Sequence, residues 1–165
     1  MGQWTASLLG WEFVDLDDII VQTEGQSIAS LFANAGEAAF RQREHAALTR
    51  TLPRTSMVLS LGGGALETQA NRDLLYSTPG TCVVFLEAPL EVLRARCEAQ
   101  ALHRDAPVRP VMALPANWEQ RYHQRLPYYK MAHHTVPTAD RSPEQVARAV
   151  LAAVFFPLRT GTSQG

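Results

Sequence analysis

The chain has 165 residues, 46% of them hydrophobic and 19% charged, with a formal net charge of −1. That length fits one domain with a proper core, and that balance is the one expected of a soluble globular protein. A broad basic nucleic-acid surface is excluded, and no apolar run approaches the length of a membrane span. Cys82 and Cys97 have no metal-ligand spacing, and the N-terminus lacks the basic and apolar regions of a signal peptide. A reducing compartment, the cytoplasm, is therefore the expected location. Of the fifteen basic residues only Lys130 is a lysine. Arginine offers a planar fork to carboxylate and phosphate, although genome composition also produces such a bias.

Met1 to Leu9 reads as a helical stub with Trp4, Leu8 and Leu9 apolar, closed by Gly10. Phe13 to Asp18, FVDLDD, then reads as a short buried strand that ends in carboxylates. Alternation would put Asp15 and Asp17 on one side of its C-terminal end. Ligands bind beyond that end in open parallel sheets. Two carboxylates there can hold magnesium through water, accept hydrogen bonds from a hydroxyl, or take its proton. They can equally be a polar strand end, with Asp18 near the start of the next helix. That helix runs to Glu24 and stops at Gly25.

Ser27 caps a helix over Ile28 to Ala35, Gly36 breaks it, and a longer amphipathic helix follows from Glu37 to Leu52, stopped by Pro53. Arg41 and Glu44 lie on it at i and i+3, as a pair or as part of a solvated face. The strand Met57 to Leu61 runs into Gly62, Gly63 and Gly64, where backbone must approach a ligand or a neighbouring helix. A short helix over Asn71 to Tyr76 precedes the continuously apolar strand Thr81 to Ala88, which predicts a parallel sheet between helix layers. Pro89 opens a helix to Ala101 that carries Arg94 and Arg96.

His103 to Pro115 holds three prolines and little periodicity, the texture of a lid or a disordered loop. Arg109 within it is held extended by Pro110. Asn117 to Ala132 is helical and interrupted at Pro127, near Arg125. His134 to Thr138 is a last weak strand, and Ser142 with Pro143 opens a final helix from Glu144 to Phe156. His133 and His134 have no ligand-spaced partner and suit a surface or cap role; His45 lies on a helix face. The expected organisation is an α/β domain over residues 1–158, a lid at about 103–116, and a disordered tail from 159 to 165.

In order and spacing, LGWEFVDLDDII, GQSIASLFANAGEAAFRQRE, VLSLGGGA, VRP and RLPYY resemble the shikimate kinase family across nearly the whole chain. The resemblance implies a P-loop kinase-like parallel sheet between helix layers. It also implies transfer of the ATP γ-phosphate to the 3-hydroxyl of shikimate, on the way to chorismate and the aromatic amino acids. ATP and Mg2+ would be the cofactors and shikimate the small-molecule partner, with no nucleic acid or membrane and a monomeric state. By motif match, Asp15 would help hold magnesium, and Asp17 would contact the hydroxyls of shikimate and orient the nucleophile. Arg41 and Arg125 would clamp its carboxylate, Glu44 would orient Arg41, and Gly63 and Gly64 would approach the ring. Arg109 would reach the transferring phosphate from the lid. Arg96, Arg141 and Pro143 would lie against adenine.

One departure from the family pattern is large. The chain has no G-x-x-x-x-G-K-S/T, and Lys130 is far in sequence from any Gly-rich stretch. Met1-Gly2 and Leu9-Gly10 fit the family's spacing directly after that motif. The expectation is a chain that starts too late, lacking the central first strand and the phosphate loop, on the order of 15 residues. Such a chain should bind ATP poorly and fold less stably. Val111 and Met112 also stand where the family has a large aliphatic pair, and the segment from Arg96 to Arg109 is longer than usual. The alternatives are a non-catalytic ligand-sensing domain of a transcription regulator and a decayed gene fragment.

Overall fold

The computed structural model describes residues 1–101 and 115–156. Helix α1 (Gly2–Leu9) leads into β1 (Glu12–Asp15), followed by α2 (Leu16–Glu24), α3 (Ile28–Thr51) and β2 (Met57–Ser60). A single 3-10 turn (Ala65–Glu67), α4 (Gln69–Ser77), β3 (Val84–Glu87) and α5 (Leu90–Ala101) come next. Helix α6 (Pro115–Tyr129), β4 (His134–Pro137) and α7 (Pro143–Phe155) complete the order.

Two boundaries move the candidate site. The first strand stops at Asp15, not at Asp18, because the Asp15 side chain caps α2 by accepting the Asp17 N–H at 2.9 Å. Asp15 and Asp17 are thus a helix cap and a first-turn residue, and not alternating strand positions. Helix α6 runs through Pro127 instead of dividing there. Proline removes a single intrahelical bond, the one its missing N–H would donate to the His123 carbonyl, and the helix continues past it.

Inside α3, Gly36 has φ 76° and ψ 175°, which splits the span into the two helices expected on either side. A residue with a Cβ would resist that φ. The break lets the first segment bury Leu31 while the second buries Phe40, Ala47 and Leu48. These residues join Leu16, Ile20 and Leu75 in one apolar cluster.

The strands pair in parallel as β1 with β2, from Glu12–Met57 to Asp15–Ser60, and β3 with β4, from Val84–His134 to Glu87–Pro137. Among the described residues these are two separate two-stranded sheets. The architecture is parallel α/β, as the apolar strands predict, but the sheet is small. Continuous apolarity predicted burial of β3 on both faces; instead every residue of β2 and β3 is only half-buried. Among the described residues each has a strand neighbour on one side only. Helix α1 packs on α7 and on β1 and β2, with Trp11 and Phe155 edge to face at 6.2 Å. Helix α6 packs on the 3-10 turn that follows β2. No helix is long and apolar enough to cross a membrane among the described residues.

Candidate active site

The three glycines after β2 form the floor of the site, and each faces a different side chain. A Cβ built on Gly62 would lie 3.2 Å from Asp17 Oδ1. One on Gly63 would lie 3.2 Å from the Tyr129 hydroxyl and 3.4 Å from Arg125 Nη1, and one on Gly64 would overlap the Arg41 guanidinium. A backbone without side chains lets three elements converge, the N-terminus of α2, the middle of α3 and the end of α6. Tyr129 fixes the α6 side by donating its O–H to the Gly63 carbonyl at 2.6 Å.

Arg41 is held from several directions. Its Nη1 donates to both oxygens of Glu44, at 3.0 and 2.9 Å. Its Nη2 donates to Glu37 at 3.2 Å and to Glu67 Oε2 at 3.1 Å. Glu44 is only 1% exposed, so the pair is not a solvated helix face. A buried carboxylate retained in a core needs such a partner. Burial alone would lower the Arg41 pKa, but Glu44, then Glu67 and Glu37, outweigh it and hold the guanidinium above its ordinary value. Burial pushes the Glu44 carboxyl up; Arg41 opposes this, and the negative charges of Asp17 and Glu67 add to the rise.

Glu67, on the 3-10 turn, joins the two arginines. Its Oε1 accepts from Arg125 Nε at 2.8 Å while Oε2 accepts from Arg41. Burial also raises the Tyr129 hydroxyl above its ordinary value, with Arg125 opposing.

The structure therefore brings together Asp17, Arg41, Glu44, Gly63, Gly64 and Arg125 from the sequence expectation. Asp15 stands next to them as the α2 cap. Arg96 lies elsewhere, donating to the Thr138 hydroxyl at 2.9 Å and to its carbonyl at 2.7 Å. Thr138 begins the connection from β4 to α7 that carries Arg141, which is exposed, and Pro143, the first residue of α7 after the Ser142 cap. Arg109 and the lid expectation fall outside the described residues, as does the tail from 159 onward.

Sequence reasoning missed Glu67, Glu37 and Tyr129. Tyr129 was within the RLPYY motif, but nothing in its spacing announced a bond to Gly63. Glu67 is three residues beyond the glycines, and the signal available was its position on the turn they open. The histidines take structural roles: His133 Nδ1 accepts the Val83 N–H at 2.9 Å, and His45 pairs with the buried Asn71 at 2.7 Å.

A parallel α/β frame thus sets two facing arginines and an acidic helix start at a glycine floor, a cradle suited to a small polar ligand. The family model described as shikimate kinase matches residues 1–155. The chain is 37% identical over 160 residues to the shikimate kinase of Salinibacter ruber, covering 93% of this chain and 77% of that protein. It is 36% identical over 157 residues to that of Streptomyces coelicolor, covering 93% and 86%. Among solved structures it matches shikimate kinase from Acinetobacter baumannii in complex with shikimate, with a TM-score of 0.83, 31% identity and coverage of 93% and 83%. The Aquifex aeolicus shikimate kinase gives a TM-score of 0.74 and 28% identity, covering 92% and 86%. The chain belongs to the shikimate kinase family, whose members are phosphotransferases.

Proposed function

We propose that this site binds shikimate and belongs to a kinase that transfers the ATP γ-phosphate to its 3-hydroxyl. The observation that supports this most directly is the convergence of Asp17, Arg41 and Arg125 around the glycines. A small polyhydroxylated carboxylate needs cationic forks at one end and hydroxyl acceptors at the other. Arg41 and Arg125 would take the carboxylate, and Glu44 would keep Arg41 aimed at it. Asp17 would accept from the ring hydroxyls and orient the attacking oxygen. Gly63 and Gly64 would let the ring lie against backbone.

Magnesium ordinarily takes one or two protein carboxylates and fills its shell with water and phosphate oxygens. Among the described residues no three His, Cys, Asp or Glu side chains form a full cage. Asp15 commits one oxygen to the α2 cap, and its second would suit a water-mediated magnesium contact, with Asp17 beside it. When bound there, the ion would supply charge neutralisation for the phosphate oxygens. Arg96 would order the connection bearing Arg141 and Pro143, where the motif match sets adenine.

The 165 residues contain no G-x-x-x-x-G-K-S/T motif. We therefore expect them to bind shikimate far better than they turn over ATP. Calorimetric titration with shikimate, beside an assay of shikimate-dependent ADP release, tests both statements. Saturable heat without ADP is the expected result. No heat would overturn the substrate assignment and favour a sensor of another ligand, and rapid ADP release would overturn the expectation of low turnover.

A further inference from the structure

Glu67 occupies the place that the proposed function gives to the substrate carboxylate. Its two oxygens each accept from one arginine, Arg41 Nη2 at 3.1 Å and Arg125 Nε at 2.8 Å. That is the bridging geometry an organic carboxylate would adopt between the same two donors. Arg41 Nη1 is already committed to Glu44, so no second set of donors on that nitrogen is offered to a ligand.

The charges lead to the same conclusion. Glu37, Glu44 and Glu67 all pair with Arg41, while Arg125 pairs with Glu67 and Arg121 lies 3.7 Å from Glu37. Three glutamates against three arginines leave no net positive charge to attract an anion. Turning Glu67 away removes one of those negative charges and frees a donor on each of Arg41 and Arg125. Glu44 is buried and Glu37, 45% exposed, does not reach Arg125, whereas Glu67, 30% exposed at its side chain, bridges Arg41 and Arg125. Its backbone stays fixed, because its N–H donates to the Gly64 carbonyl at 3.0 Å and its carbonyl accepts from Arg72 at 2.9 Å. Side-chain rotation alone would carry its carboxylate into solvent.

We propose that Glu67 is an internal competitor for the Arg41–Arg125 cradle, a carboxylate that the substrate displaces in order to bind. The proposal rests on the assignment of that cradle to a carboxylate ligand. It makes Glu67 a residue that sets affinity by neutralising the arginines in the empty site. It also keeps both guanidinium groups paired, and so protected from collapse onto other acids, until a better-fitting anion arrives.

The test compares wild type, Glu67→Gln and Glu67→Ala by calorimetric titration with shikimate and, separately, with cyclohexanecarboxylate, after circular dichroism confirms the fold of each. Both variants should bind shikimate about tenfold more tightly than wild type. Unchanged or weaker shikimate binding by both variants, with wild type still binding, overturns the competitor role and leaves the substrate assignment standing. If none of the three binds shikimate, the substrate assignment fails. In that case binding of cyclohexanecarboxylate by the variants and not by wild type would still support displacement of Glu67, and its absence would overturn it.

Discussion

Gly64 and Arg41 claim one volume: a Cβ on the glycine would fall inside the arginine's guanidinium group. Arg41 cannot retreat, because the buried Glu44 holds it with two hydrogen bonds. Gly64→Ala should therefore displace the guanidinium and weaken shikimate binding by about thirtyfold. Gly63→Ala meets Tyr129 and Arg125 at ordinary to tight distances and should weaken binding much less. Titration of both variants checks the ranking, and equal losses would contradict it.

Arg41 also matters to the fold. Arg41→Ala would leave Glu44, 1% exposed, without its partner. Breaking a buried pair in this way should cost about 3–5 kcal/mol. Arg41→Met combined with Glu44→Gln should recover most of that loss, since neither side chain then carries a charge. Urea unfolding of the single and double variants measures the difference, and a double variant as unstable as Arg41→Ala would refute the explanation.

The raised pKa of Glu44 gives stability a pH dependence with a definite sign. The folded protein takes up a proton at Glu44 at a higher pH than the unfolded chain does, whose ordinary value is 4.5. The contribution of this group is complete below 4.5 and is lost as pH rises through the folded value. Relative to Glu44→Gln, wild type should therefore gain stability as pH falls from neutral towards 4.5. Parallel denaturant titrations at several pH values read this directly; a gap that moves the other way would mean that Arg41 outweighs burial.

Arg125 uses Nε to reach Glu67 and places Nη1 near Gly63. A lysine cannot reproduce two directions from one head group. Arg125→Lys should lower shikimate affinity by about tenfold while the thermal midpoint stays close to wild type, because lysine keeps the positive charge opposite Glu67. Full retention of affinity would show that a point charge suffices.

Much of the fold was legible because its signals are local. Gly36 announced the break in α3, Ser142-Pro143 announced the start of α7, and apolar strands announced parallel pairing. The end of β1 was not legible, since FVDLDD suits a strand until Asp15 turns back to cap the helix. Pro127 misled because a proline removes only one helical bond, and a helix can continue past that loss. Arg41 with Glu44 could be found by spacing, yet its burial depends on residues distant in sequence. Glu67 had only its place on the turn after the glycines as a local signal, because its meaning comes from Arg125, fifty-eight positions away along the chain.

The division of the strands into two unjoined pairs has a consequence for motion. No backbone ladder ties β2 to β3 among the described residues, so helix packing and side-chain contacts hold the two parts together. Arg41 belongs to α3, on the side of β1 and β2, and Arg125 to α6, which leads into β4. An anion gripped by both would then serve as a brace across the seam. Occupancy would be felt as rigidity throughout the molecule, and the ligand would complete mechanically what the hydrogen-bonded strands leave apart.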